Sequence, residues 1–201
     1  MQALNVVFDL GGVVLTCNPS AVVSSVFDDS GTRALVLERV FGDPDWVEFD
    51  RGTLSRERFI ERAAERTGIE MRALEELFDA LPGALVPVPD VVELIKALRA
   101  SGNRQFVLSN MHRASLAHLE AAYDIFALFE VRIVSCEVGA CKPESAIYRR
   151  LLESFALDPR ATVLIDDVEA NLDAAAAHGM QTIRFESLDG CRAELVAMGC
   201  I

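Results

Sequence analysis

Four short runs of branched and aromatic residues, NVVFDL, RQFVLSN, TVLIDD and QTIRF, recur along the chain with helical patterns between them. Such runs read as buried strands, and EVRIVS supplies a fifth. In PDVVELIKALRASG, Val91, Ile95 and Leu98 share one helical face, Asp90 and Glu93 fit a capping box, and Gly102 provides a stop. In KPESAIYRRLLESF, Ile147, Leu151 and Phe155 share a face, and Pro143 suits a first-turn position. Strands alternating with helices predict an α/β fold, a parallel sheet covered by helices on both sides.

Residues 19–85 break that rhythm. RERFIERAAERTG and RALEELFDAL follow one another with no strand between them, bounded by Asn18 and Pro19 on one side and by PGALVPVPD on the other. The expected organisation is an α/β core from residues 1–18 and 86–201, with a helical insert at 19–85. The insert begins just after the strand that carries Asp9, so it is expected to cover the carboxyl ends of the strands, where open α/β sheets bind ligands.

With 201 residues, 51% of them hydrophobic, the chain can bury a sizeable core. Its net charge of −12 disfavours nucleic acid and anionic membrane as partners. The first apolar run contains Asp9 and lacks a basic lead, unlike a secretory signal, so the cytoplasm is the expected compartment. Five cysteines without CxxC spacing read as reduced thiols rather than as a disulfide or zinc framework, although Cys136 and Cys141 are near enough in sequence to meet across a loop.

Three of the strand-like runs end in polar residues: Asp9; Ser109 and Asn110; Asp166 and Asp167. In a parallel sheet these ends lie along one edge, so residues far apart in sequence converge there. Lys142, in GACKPE, sits in a loop just before a helix. Three carboxylates and a lysine around a crevice suit a hard divalent cation such as Mg²⁺, with a phosphate to share it. Taken singly, each residue has a plainer reading: the aspartates, Ser109 and Asn110 as turn or helix caps, Lys142 as a surface lysine.

Together the fragments FDLGGV, LSN, KP and IDDVEAN, in that order, resemble the four motifs of the haloacid dehalogenase-like (HAD) hydrolases. The resemblance implies a Rossmann-like parallel sheet with an inserted α-helical cap of type 1, and it spans nearly the whole chain. By that resemblance Asp9 is the nucleophile of a phosphatase, forming an aspartyl-phosphate that water cleaves. Mg²⁺ would be held by Asp9, the Gly11 carbonyl and Asp167, with Asp166 a further or water-mediated ligand and Asn171 in support. Ser109 and Asn110 would bind phosphoryl oxygens, and Lys142 would neutralise the crowded negative charge. The implied substrates are small phosphorylated metabolites, sugar phosphates first among them, and the implied assembly is a monomer or homodimer.

Many phosphatases of this superfamily carry a second aspartate two residues beyond the nucleophile, where it protonates the leaving oxygen and activates water. Here that residue is Gly11. A glycine still offers its carbonyl to a metal but gives no acid-base help, which is typically worth roughly 10² to 10⁴ in rate. Three expectations follow. The substrate has a good leaving group, as in anomeric sugar phosphates or acyl phosphates; or an insert acid such as Asp43, Asp45, Glu48 or Asp50 stands in; or the chain is a non-catalytic binder of phosphate or metabolite. The first accords with the similarity of FDLGGV to the glucose-1-phosphatase-like branch and to relatives of the epoxide hydrolase N-terminal domain. Within the superfamily a 2-haloacid dehalogenase is the rival, though a metal-free reaction has little use for the paired acids of IDD. His112, His118 and His178 show no ligand spacing and read as helix-surface or helix-end residues, while Trp46 and Phe49 read as core of the insert.

Overall fold

The structure, a computed structural model, describes residues 4–201. Five strands, β1 (Asn5–Phe8), β2 (Arg104–Ser109), β3 (Val131–Val134), β4 (Thr162–Asp166) and β5 (Gln181–Arg184), form one sheet in the order β3-β2-β1-β4-β5. Every pairing is parallel. All four residues of β1 are buried, which is why its sequence is continuously apolar: both faces are covered.

Alternation along β1 sorts its side chains into two layers. Val6 and Phe8 pack with Val91, Ile95 and Leu98 of α6 (Pro89–Ala100), with Leu116 and Leu119 of α7 (Arg113–Ala122), and with Leu195 of α11 (Leu188–Ala197). Val7 faces the opposite layer, against Ile147, Tyr148 and Leu151 of α9 (Ser145–Ser154) and Leu172 of α10 (Glu169–Ala177). The result is a helix–sheet–helix sandwich in which all five expected strands are present. Two expected helix starts differ. Helix α6 begins at Pro89 with Val88 at its N-cap and no side-chain cap, because the proline's fixed φ sets the first turn ahead of Asp90; Glu93 pairs with Lys96 instead. Helix α9 begins at Ser145 with Glu144 as its N-cap, so Pro143 precedes the helix.

Between β1 and α6 lie only helices: α1 (Pro19–Val26), α2 (Ser30–Val36) running into a π-helical turn (Leu37–Phe41), α3 (Pro44–Arg51), α4 (Arg56–Thr67) and α5 (Met71–Ala80). Asn18 caps α1, its side chain accepting from Ala21 N at 3.0 Å, and Pro19 occupies the first turn. These helices bury a separate cluster that includes Val23, Val40, Phe49, Phe59, Leu74 and Leu77. The segments entering and leaving them run side by side, with Thr16 N donating to Val86 O and Val88 N donating to Val14 O, both at 2.9 Å.

Helix α3 is fastened to the sheet layer. Ser135 Oγ, in the short helix α8 (Ser135–Val138), donates to Asp50 O at 2.6 Å, and Arg51 forks onto both oxygens of Glu144 at 2.6 Å each. Gly52 ends α3 in the left-handed region at φ 80°, where a Cβ would come within 3.0 Å of Cys136 O. Only a glycine lets the helix end approach that backbone so closely. Consequently the residues of the last turn of α3 are held over the carboxyl end of the sheet.

Candidate active site

Sheet register brings the polar strand ends together. Phe8 stands between Val107 of β2 and Ile165 of β4, and Asp9 N donates to Ile165 O at 2.9 Å. The residues that follow these three strands therefore share one crevice. It lies where the chain's connections reverse direction across β1, the place where such sheets bind ligands.

Lys142 is the hinge of the electrostatics. Its ammonium, 4% exposed as a residue, reaches Asp9 Oδ1 at 3.0 Å and Asp166 Oδ2 at 2.5 Å. Burial alone would drive Lys142 toward neutrality, but the two carboxylates hold its pKa above the ordinary lysine value. Asp9 is raised by burial, with the Asp166 charge adding to that, while Lys142 opposes both. A single cation between two buried acids leaves a net negative site, which draws in further positive charge.

Asp166 is saturated with donors. Its Oδ1 accepts from Val168 N at 2.9 Å and Asn171 Nδ2 at 3.0 Å, and its Oδ2 accepts from Lys142. It thereby anchors Lys142, Asn171 and the turn into α10 at once. Asp167 is more open and is also raised, first by burial and then by the Asp166 charge. One carboxylate oxygen from each of Asp9, Asp166 and Asp167 can be chosen so that all three lie within 4.8 Å of one another. These are hard oxygen donors of the kind that suit Mg²⁺. Gly12, at φ 79°, lets the backbone turn beneath this cluster: a Cβ there would stand 2.5 Å from Asp167 Oδ2.

Ser109 and Asn110 are used differently from each other. Ser109 Oγ is fully buried and has no hydrogen-bond partner among the described residues, an orphan donor at the end of β2. The Asn110 side chain is engaged, donating through Nδ2 to Lys142 O at 2.9 Å and accepting through Oδ1 from Lys142 N at 2.8 Å. Its amide clamps the lysine loop, leaving one Nδ2 hydrogen and the backbone N–H facing a cavity that Asn110 also lines.

A cavity of about 410 Å³ opens above Asp9, Lys142 and Asp167. Its walls come largely from the helical segment and the loops beside it: Val22, Phe41, Trp46, Leu81, Leu85 and Met111. Two polar residues there went unrecognised or unranked in the sequence. His112 is buried, not a surface residue; it caps α7, lies against the Phe49 ring at 4.5 Å between centroids, and has its pKa pushed down to about 4 by burial. Its position three residues after Ser109, just past a strand end, was the available signal. Asp50 lines the same cavity from α3, and burial raises its pKa to about 7. Trp46 both packs in the helical cluster and faces the cavity, whereas Phe49 belongs to the cluster. Cys17 is the exposed cysteine and also lines the cavity; Cys136 and Cys141 are buried free thiols.

A family model described as a haloacid dehalogenase-like hydrolase matches residues 5–179. The chain belongs to the HAD-like hydrolases. Among curated sequences it is 24% identical to a sesquiterpene phosphatase of Aspergillus oryzae, over 96% of each chain. It is 27% identical over 96% of its length to acyl-CoA dehydrogenase family member 10 of Mus musculus, of which it spans 19%. A crystal structure of a predicted HAD-like family hydrolase from Porphyromonas gingivalis superposes with TM-score 0.75 at 26% identity, covering 96% of this chain and 98% of that one. The HAD fold is seen again in an enzyme of Bacteroides thetaiotaomicron crystallised with magnesium and inorganic phosphate, at TM-score 0.78 and 22% identity over 94% and 98% of the two chains. Among the described residues no helix is long and apolar enough to cross a membrane.

Proposed function

We propose that this HAD-like hydrolase is a Mg²⁺-dependent phosphatase of small phosphorylated metabolites that works through an aspartyl-phosphate on Asp9. The observation that carries the reading is Asp9 itself: a buried carboxylate at the end of the central strand, paired with Lys142 at 3.0 Å and opening onto the cavity. Asp9, the Gly11 carbonyl and Asp167 would hold the cation, with Asp166 contributing through its fixed position. Bound there, Mg²⁺ supplies Lewis-acid polarisation of the phosphoryl group and neutralises its charge. The donor set fits, and the unpartnered Ser109 hydroxyl has the character of a group made for an incoming phosphoryl oxygen.

The residues divide the work. Asp9 attacks phosphorus, and the P–O bond to the alcohol breaks. Lys142 compensates the charge on the equatorial oxygens and favours the charged form of Asp9 against the burial that raises its pKa. Asn110 and Asp166 hold Lys142 from its backbone and its ammonium. Helices α1–α5 act as the cap domain, with residues 19–85 inserted into a core of 1–18 and 86–201, and exclude water from the leaving-group side.

The cavity also bears on the substrate. Lys142 is the one cation lining it among the described residues, and Asp50 and the apolar wall face the space where the alcohol would lie. A second phosphate or a carboxylate would be repelled there. The wall therefore supports an uncharged alcohol with an apolar body ahead of the sugar phosphates suggested by the sequence, and the likeness to a sesquiterpene phosphatase points the same way.

Phosphate release from a panel of sugar, terpenoid and short alkyl phosphates, with Mg²⁺ and with EDTA, tests the reading. Turnover is expected with Mg²⁺ only and is expected to be highest for the apolar esters. Halide release from 2-haloacids without metal would establish the dehalogenase instead, and no turnover of any ester would establish a binder. The metal site has its own check. Gly12→Ala pushes a Cβ onto Asp167, and the Mg²⁺ concentration for half-maximal activity or thermal stabilisation is expected to rise roughly 10- to 100-fold. An unchanged Mg²⁺ requirement would remove Asp167 from the site.

A further inference from the structure

Gly11 leaves the reaction without its usual proton donor, and the helical segment offers four acids within eight residues of sequence. Three are engaged elsewhere. Asp43 bonds Arg66 at 3.1 Å, Asp45 bonds Arg62 at 2.8 Å and Arg66 at 3.2 Å, and Glu48 pairs with Arg51 at 3.2 Å and accepts from Thr53 Oγ1 at 2.6 Å. The fourth, Asp50, has no salt-bridge partner among the described residues and lines the cavity together with Asp9, Gly11, Lys142 and Asp167.

We propose that Asp50, reaching in from the last turn of α3, is the general acid that protonates the leaving oxygen and the general base that activates water for hydrolysis of the phosphoenzyme. The proposal rests on the phosphatase reading. In the first half-reaction an Asp9 oxygen bonds to phosphorus, the P–O bond to the alcohol breaks, and the departing electron pair takes the Asp50 proton to give a neutral alcohol. In the second, the Asp50 carboxylate removes a proton from water as its oxygen bonds to phosphorus. The P–O bond to Asp9 then breaks with its electron pair returning to the Asp9 carboxylate, and the proton on Asp50 is restored for the next turnover.

The placement is fixed rather than incidental. Ser135 Oγ holds the Asp50 carbonyl at 2.6 Å, Arg51 is forked onto Glu144, and Gly52 seats the helix end against Cys136 O. The backbone of Asp50 is thus anchored to the sheet layer on either side of its side chain, which lines the cavity in reach of His112 N–H and Trp46. The titratable groups around it are Asp9, Cys17, Cys136, Cys141 and His112. None pairs it with a cation: His112 is held neutral by burial, the nearby Lys142 and Arg51 are committed to Asp9 and Asp166 and to Glu144 and Glu48, and Arg113, whose guanidinium stands beside Gly52, makes no salt bridge to Asp50. Burial and the Asp9 charge therefore let Asp50 keep a proton to about pH 7, against the opposing hydrogen bonds of His112 N–H and Trp46. A carboxylic acid poised there can both give and take a proton at neutral pH. At position 11 a Cβ would meet only Cys17, at 3.9 Å, so the place of the missing carboxylate is open.

The test compares wild type, Asp50→Asn and Asp50→Asn with Gly11→Asp on an alkyl phosphate and on p-nitrophenyl phosphate, with Mg²⁺. The alkyl oxygen needs a proton to leave and the nitrophenolate does not. Asp50→Asn is expected to lower kcat/KM roughly 10²- to 10⁴-fold on the alkyl ester and less than about 10-fold on the aryl ester. It is also expected to abolish the fall in alkyl-ester kcat/KM above about pH 7, and Gly11→Asp in the same chain is expected to restore part of the loss. Equal losses on both esters, or an unchanged pH profile, would overturn the assignment.

A second readout needs no turnover. The folded-state pKa of Asp50 is raised above its unfolded value, so its stabilising contribution is complete at low pH and is lost as pH rises through about 7. Wild type is expected to lose thermal stability relative to Asp50→Asn over that range, and a constant difference would contradict the shared environment. If wild type cleaves neither ester, or if Asp9→Asn still does, the phosphatase reading fails and takes the role of Asp50 with it. If only the ester dependence is missing, the phosphatase stands without Asp50.

Discussion

Asp9→Asn is expected to reduce phosphate release on the order of 10⁴-fold or more, on every ester and in saturating Mg²⁺, because on the proposed mechanism it removes the attacking oxyanion and one metal ligand together. The fold is expected to survive. The largest influence on Asp9 is burial, which disfavours its charge, so a neutral isostere relieves a desolvation cost while giving up an ion pair with Lys142. Lys142 keeps its other partner, Asp166. Circular dichroism melting of the variant beside the wild type separates the two effects: activity lost with Tm retained supports the assignment, and a collapse of Tm would make the loss uninformative about chemistry. Steady-state phosphate release then gives the size of the catalytic term.

Lys142→Met is the substitution expected to cost most in stability. Its ammonium stands between Asp9 and Asp166, two carboxylates that are 7% and 0% exposed as residues. Methionine matches the aliphatic stem but leaves both acids buried without a cation, and breaking such a pair from one side typically costs about 3–5 kcal/mol. In a domain of this size each kcal/mol moves Tm by roughly 2–4 °C, so a fall of about 6–20 °C is expected. Asn110 would still clamp the backbone at residue 142, which confines the damage to the charge itself. Activity is expected to be lost at temperatures where the variant is folded, because no other side chain lining the cavity brings a positive charge to the phosphoryl group. Thermal unfolding at neutral pH checks the stability effect, and a change of less than about 2 °C would mean that solvent or ions reach these acids freely.

Much of this site could be seen in the sequence because the sheet edge is encoded locally. An apolar run ending in Asp9, another in Ser109 and a third in Asp166 and Asp167 is enough to place these residues side by side once the strands are parallel. Their order relative to Lys142 carried the family resemblance. Roles set by distant contacts were not legible. That Asn110 also clamps the Lys142 backbone is invisible in the sequence, because the contact joins residues 32 positions apart. Asp50 was one of four acids, distinguished only by the arginines it does not meet, since Arg62 and Arg66 on α4 and Glu144 before α9 decide which carboxylates and guanidiniums are satisfied. His112 looked ordinary because burial of a histidine against Phe49 depends on how α3 packs on the sheet layer. Helix starts moved for a local reason: Pro89 takes the first turn of α6 that a capping box at Asp90 would have claimed.

The central claim is that Asp9 carries the phosphoryl group, and rapid quenching of the protein during turnover of a phosphate ester with Mg²⁺, followed by peptide mass spectrometry, tests it most directly. The expected result is an acid-stable, base-labile phosphoryl adduct on the peptide containing Asp9, formed within the turnover time and absent from Asp9→Asn. A phosphoryl group trapped on any other residue, or steady turnover by Asp9→Asn with no adduct at all, would contradict the mechanism.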